Sequence, residues 1–233
     1  MAAFKKTLRR GAFIACVGAT CFSFYAAVAL KNADVVALER STYFLVAEDE
    51  ALPVGLVGAY ASGGAGYEWR REDGRYAVYA CYLGDGAFAA ATSACEKLSG
   101  EGKSVRVIEE RFGCLGFVTR GQKEDANRVK KLLGVVRASA ETLGALAKRA
   151  QEGELRQKNL ADACIAAAYP LKGAAREAAS GKGKALRACA VEVKTASEEL
   201  IAFSKNIVCA RDLRAVQAAL CAAYGDLCRA YGA

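Results

Sequence analysis

The chain is predicted to be an α+β protein: a βαββαβ sheet domain, then an antiparallel α-helical bundle, with one transmembrane helix in front. Three features of the 233 residues predict this. An uncharged apolar run covers 11–30, period-two alternation between turn residues fills 41–120, and an alanine-rich period near 3.6 follows. Of the fifty alanines, 28 lie after residue 120, which biases that part toward helix. Charge divides the chain at the same places, with +4 over 1–40, −3 over 41–120 and +7 over 121–233. There is no histidine, so Ser-His-Asp and Cys-His nucleophiles, imidazole acid–base catalysis and His-ligated zinc are excluded. The expectation is a protein that is not an enzyme and holds no cofactor or metal.

The first element is the run Gly11–Leu30 (GAFIACVGATCFSFYAAVAL). Twenty residues at ~1.5 Å each span the ~30 Å hydrocarbon layer. Lys5, Lys6, Arg9 and Arg10 precede the run, whereas the charges of Lys31, Asp34, Glu39 and Arg40 cancel after it. The positive-inside rule makes 1–10 a basic cytoplasmic tail and 11–30 a signal-anchor at the cell membrane, with the rest extracytoplasmic. A cleaved signal peptide, with Ala27-Val28-Ala29 as its small-residue site, is the alternative. Residues 31–40 are expected to be a linker of at most ~36 Å.

The sheet domain, 41–120, is read in order. Thr42–Glu48 is a strand, Ala51–Ala61 a helix ended by Ser62-Gly63-Gly64, and Tyr67–Arg71 a strand. Asp73-Gly74 is a hairpin turn pair, followed by the strand Arg75–Tyr82. Gly86–Leu98 is a helix carrying Phe88, Ala91, Cys95 and Leu98 on one side, and Ser104–Glu109 is the last strand. This order is the split βαβ of ferredoxin-like folds. With Asp73-Gly74 as the turn, Trp69 opposes Val78 and Tyr67 opposes Ala80, and this set faces the helices together with Tyr76, Tyr82, Leu45, Val105 and Val107. The other face is left open and presents Phe44, Glu68, Arg70, Tyr79 and Arg106, beside Val46 and Cys81. Rings that stack on sugar C–H faces, next to charged forks that bond hydroxyls, make these five the candidate glycan-binding residues.

The run TYFLVAE, the segment GGAGYEWRREDGRYAVYACY, the helix after it and SVRVIE resemble SPOR (sporulation-related repeat) domains, in the versions of clostridial and other Firmicute envelope proteins. The shared residues are Gly63-Gly64-Ala65-Gly66-Tyr67 and Tyr76-Ala77-Val78, within some 70–80 positions of the chain. The resemblance implies a non-catalytic module that binds peptidoglycan glycan strands and localises its protein to a division or sporulation septum. Members usually carry Gln on the open face of the first strand, where this chain has Val46. They often carry Arg or Lys where it has Ala77.

Residues 121–233 are expected to form the bundle. The first helix carries a seam of Ala126, Val129, Leu133, Val136, Ala140, Leu143, Ala147 and Ala150 and ends at Gly153. The second starts near Glu154 and is interrupted at Pro170. The third covers about Lys184–Lys205 with Leu186, Ala190, Val193 and Leu200 on one side. The fourth is Arg211–Tyr231 with Leu213, Val216, Leu220, Tyr224, Leu227 and Tyr231. The bundle shows no chemistry of its own and is a possible docking site for a protein partner. The ten cysteines form no C-x-x-C pair and are read as small buried hydrophobes, with one or two disulfides left open.

Other motifs are set aside. Gly102-Lys103-Ser104 ends like a P-loop, but Lys97 stands where the first glycine is required and a strand follows. The acidic pairs at 48–50 and 109–110 sit at strand ends, where solvation accounts for them. RYAVYACY does not match the RNA-recognition strand pattern and the sheet domain is acidic, so no nucleic-acid partner is expected. The alternative to glycan binding is an assembly module of the envelope, in which sheet domain and bundle bind protein.

Overall fold

A computed structural model describes residues 34–37, 41–53, 56, 60, 65–112, 115–118 and 123–231. The protein is α+β. Its described elements are β1 (Asp34–Ala37), β2 (Ser41–Glu48), β3 (Tyr67–Arg71), β4 (Gly74–Leu83), α1 (Ala87–Gly100), β5 (Val105–Phe112), β6 (Leu115–Val118), α2 (Lys123–Gln151), α3 (Gln157–Ala179), α4 (Lys184–Phe203) and α5 (Ala210–Tyr231). Among the described residues no helix is long and apolar enough to cross a membrane. The expected span at 11–30 lies outside them, as does most of the helix expected over 51–61, of which Ala51–Pro53 and Leu56 are non-helical and Tyr60 is helical.

Four strands form an antiparallel sheet in the order β3-β4-β2-β5, so the first and third strands of the domain are central and the second and fourth are edges. The hairpin register differs from expectation. Arg71 pairs with Gly74, Trp69 with Tyr76 and Tyr67 with Val78, so the turn is Glu72-Asp73 and the pairing moves by two residues. Gly74 closes the turn at φ 146°, and Ala51 Cβ occupies the place a Cβ on Gly74 would take. Both favour glycine there.

A bulge decides the faces. Val46 pairs with Ala80 but Ala47 pairs with Val78, which leaves Tyr79 as an extra residue in β4. Alternation reverses across it. Tyr76 and Val78 therefore share a face with Cys81, while Ala80 and Tyr82 turn to the other side with Phe44 and Val46. On β5, Val107 pairs with Val46 and Arg106 with Ala47. Val105 and Val107 thus lie with Phe44 and Val46, and Arg106 lies with Leu45. The expected grouping of Leu45 with the two valines, and of Arg106 with Phe44, is corrected.

Both faces of the sheet are covered. On one side α1 packs over Phe44, Val46, Ala80, Tyr82, Val105 and Val107, through Ala91, Ala94, Cys95 and Leu98. On the other side Tyr43, Leu45, Trp69, Tyr76, Val78, Cys81, Ile108 and Phe112 join the same core as the helices α2–α5. Tyr43, Phe112 and Tyr224 form an aromatic cluster with ring centroids 5.4–6.0 Å apart. Each pair meets edge to face, the preferred geometry for aromatic rings. Gly225 of α5 lets Phe112 approach: a Cβ there would lie 2.6 Å from its ring. The thiols of Cys81 and Cys221 meet across the same interface at 2.8 Å.

The four long helices pack as a ring, each against its chain neighbours, with α2 closing onto α5. The expected seams are buried: Val129, Leu133, Val136, Ala140, Leu143 and Ala147 in α2, and Leu213, Val216, Leu220, Tyr224 and Leu227 in α5. Pro170 does not interrupt α3, which continues through it to Ala179. Proline removes one backbone donor from the ladder. Eight buried apolar side chains on both sides of it, from Leu160 to Ala178, hold the helix together.

Two short strands were not anticipated. β1 pairs antiparallel with β6, Asp34 opposite Val118 and Ala37 opposite Leu115. The expected free linker 31–40 is therefore replaced, over 34–37, by a strand attached to the folded body.

Candidate binding surface

The five candidate residues do not share an open face. Phe44 lies under α1, its ring 5.4 Å from that of Phe88. Tyr79 is buried with Ala65 and Ala77, against Leu52, Tyr60, Leu98 and Val105. Its hydroxyl donates to Glu48 Oε1 at 2.5 Å, and Lys103 Nζ sits 4.5 Å from its ring centre. Burial first, then the Glu48 carboxylate, push the Tyr79 phenol well above its ordinary range. A ring held this way has no face left to stack on a sugar.

Glu68 and Arg70 lie on the edge strand β3 and do come together. Glu68 Oε1 accepts from Arg70 Nε at 3.2 Å and lies 3.1 Å from Arg75 Nη1. The Arg70 side chain is 72% exposed, so it is the one candidate free to meet an external ligand. Its field extends to the bundle. The Glu192 carboxyl in α4 is raised above the ordinary range, by burial first and by Asp226 of α5 second, with Arg70 opposing.

Arg106 is on the opposite face, where its guanidinium lies 5.0 Å from the Tyr76 ring centre. It also lies 3.9 Å from Asp73 and 4.0 Å from Asp49. Tyr76 donates its hydroxyl to Asp73 at 3.0 Å. That hydrogen bond, followed by the Arg71 and Arg106 charges, holds the Asp73 carboxyl below the ordinary range. Arg106 is thus engaged with Asp73, Tyr76 and Asp49.

A second charge cluster joins sheet to bundle and was not anticipated. Glu110 of β5 lies 3.2 Å from Arg71 and 3.9 Å from Arg229 of α5. The Arg229 guanidinium also covers the rings of Trp69 and Phe112, 5.7 and 5.4 Å from their centres. The same holds for Asp125 of α2, which accepts from the backbone N–H groups of Lys182 and Gly183 at 2.9 and 2.8 Å and from Arg128 at 3.0 Å. It supplies the cap that α4 lacks from its own sequence. Neither the Glu110–Arg229 contact nor the Asp125–Lys182 contact leaves a local signal, because the partners lie 57 or more residues apart.

The thiols of Cys81, Cys164, Cys189, Cys221 and Cys228 are buried, while Cys209 is exposed. Among the described residues no group of three or more Cys, Asp or Glu side chains is placed to hold a metal ion. No family model, no curated protein and no solved structure matches the chain.

Proposed function

We propose that this is a non-catalytic, membrane-anchored protein of the cell envelope that works as a protein-assembly module. The observation that carries this reading is the covering of the sheet on both faces. A glycan strand needs an exposed face, whereas here the sheet serves as the seat of the bundle. The pair α3 and α4, which packs mainly against the other helices, presents Tyr169 and Val191 at 66% and 64% exposure. Large apolar side chains outside the core suit a protein partner. Light scattering and cross-linking of the detergent-solubilised full chain test this. Oligomers or partner complexes that persist without peptidoglycan are expected, and Tyr169→Glu is expected to dissolve them. A monomer at all concentrations that cross-links to no envelope protein overturns the reading.

The glycan reading keeps two supports. The strand order, first and third central, is that of the split βαβ to which SPOR domains belong. Glu68, Arg70 and Arg75 form a charged fork at an exposed edge. Full chain pelleted with sacculi stripped of stem peptides, and released by Arg70→Ala, would favour it over assembly. No pelleting would remove it.

A further inference from the structure

The strand β1 fixes where the chain leaves the folded body. Asp34 pairs with Val118, which stands five residues before Lys123, the start of α2. Five residues reach at most ~18 Å. The 29 residues of α2 extend ~43 Å. The chain therefore enters at the end of the bundle where α2 begins. The turn between α3 and α4 is at that same end, because Asp125 bonds Lys182 and Gly183, and the Tyr231 hydroxyl at the close of α5 sits against Gly183.

This end is the more basic one. Residues 124–131 and 176–187 hold seven Lys and Arg against three Asp and Glu, whereas 148–158 and 198–214 at the other end hold seven against five. Arg176, Lys182, Lys184 and Arg187 are exposed. Among the described residues, none of the four is ion-paired to a carboxylate. Lys182 and Lys184 stand at the N-terminus of α4, whose first turn has no acidic residue. The helix dipole disfavours cations there, so the fold itself does not account for their placement.

Only Lys31-Asn32-Ala33 separate Asp34 from the apolar run 11–30. We propose that this basic end of the bundle docks on the anionic headgroup surface of the membrane in which 11–30 is anchored. The proposal rests on the anchored reading above. Three residues span ~10 Å at most and the link from Val118 to Lys123 at most ~18 Å, so the anchor tethers this end of the bundle beside the headgroup surface, where attraction acts over about one Debye length.

The test uses the full chain reconstituted into vesicles of phosphatidylcholine, with or without phosphatidylglycerol. A fluorophore is placed at Ser180→Cys in a Cys209→Ser background, and in a second sample on Cys209 itself, at the far end. Quenching by headgroup spin-labelled lipid is read. Several-fold stronger quenching at 180 in the anionic vesicles is expected, with little at 209. The difference is expected to collapse in ~1 M salt and in the Arg176→Gln/Lys182→Gln/Lys184→Gln/Arg187→Gln variant. Quenching at 180 that ignores lipid charge, or that survives the four substitutions, overturns the docking. Flotation after alkaline carbonate reports the anchor separately. A chain that floats without charge-dependent quenching keeps the anchor and loses the docking. A chain that does not float, yet is quenched at 180 when added to anionic vesicles, keeps the docking and loses the anchor.

Discussion

Asp125 shows what one side chain does here. Burial alone would raise its carboxyl, but the two N–H donors of Lys182 and Gly183 and the Arg128 guanidinium together hold it below the ordinary range. An acid whose folded value is depressed contributes stability above its unfolded value, near ~3.9, and loses it as pH falls through the folded value. Asp125→Asn is expected to destabilise the protein by about 1–3 kcal/mol at pH 7. Thermal melts should show that gap closing as pH drops below about 4. Glu192 has the opposite sign. Its raised carboxyl makes ionisation unfavourable in the folded chain, so stability held at low pH is lost as pH rises through the folded value. Glu192→Gln is expected to leave the melting temperature at pH 7 unchanged or slightly higher. A clear drop would show that the carboxylate is needed. The thiols sort by burial: alkylation of the native protein should modify Cys209 rapidly and reach Cys81, Cys189, Cys221 and Cys228 only after unfolding, by peptide mass mapping.

Among the elements, the contact between α5 and the sheet depends on small residues. Gly225→Val would drive a side chain into the Phe112 ring and is expected to destabilise the protein by about 1–3 kcal/mol, seen as a lower urea midpoint with the slope unchanged. The elements themselves were largely legible in the sequence. Strands β2, β3, β4 and β5 and the four long helices fall where alternation and helical spacing put them, because each pattern is local. Tyr79 was not legible. It lies on the side of Ala77, as alternation has it, but that side is covered by Leu52, Tyr60, Leu98 and Val105. The bulge at Tyr79 inserts a residue without altering composition, so alternation counted past it gave Ala80, Cys81 and Tyr82 the wrong sides. Arg106 failed for a related reason: the parity of an edge strand is set by its register against β2, which no local pattern reports. β1 and β6 are four residues each, too short for periodicity to show.

At the level of the whole molecule, sheet and bundle share one core, with Trp69 and Tyr43 buried among α-helical side chains. A fragment of residues 41–120 would expose Tyr43, Leu45, Trp69, Tyr76 and Phe112 to water. It is expected to aggregate or fail to fold, whereas the full chain should melt in one transition by circular dichroism and by Trp69 fluorescence alike. Two separate transitions would show independent domains. The sequence pattern divides the chain near residue 120 because periodicity changes there, but periodicity reports the type of element and not which faces pair. The face of Phe44 and Val46, expected to be open, lies under α1, and the face of Leu45, Trp69 and Val78, expected to meet the domain's own helices, is the floor of the bundle.

That floor also sets the order of events in synthesis. Ser41 meets Tyr224 and Cys81 meets Cys221, so the sheet is completed by the helix made last. While the ribosome adds residues 113–209, the apolar face of β2–β5 lacks α5, the helix that packs against it most. Contacts across 140 or more residues form slowly, and strands with an uncovered face attract other chains in the meantime. A nascent chain of this kind is expected to be captured by a holding chaperone until α5 emerges, an association that pull-down of stalled ribosome complexes would detect.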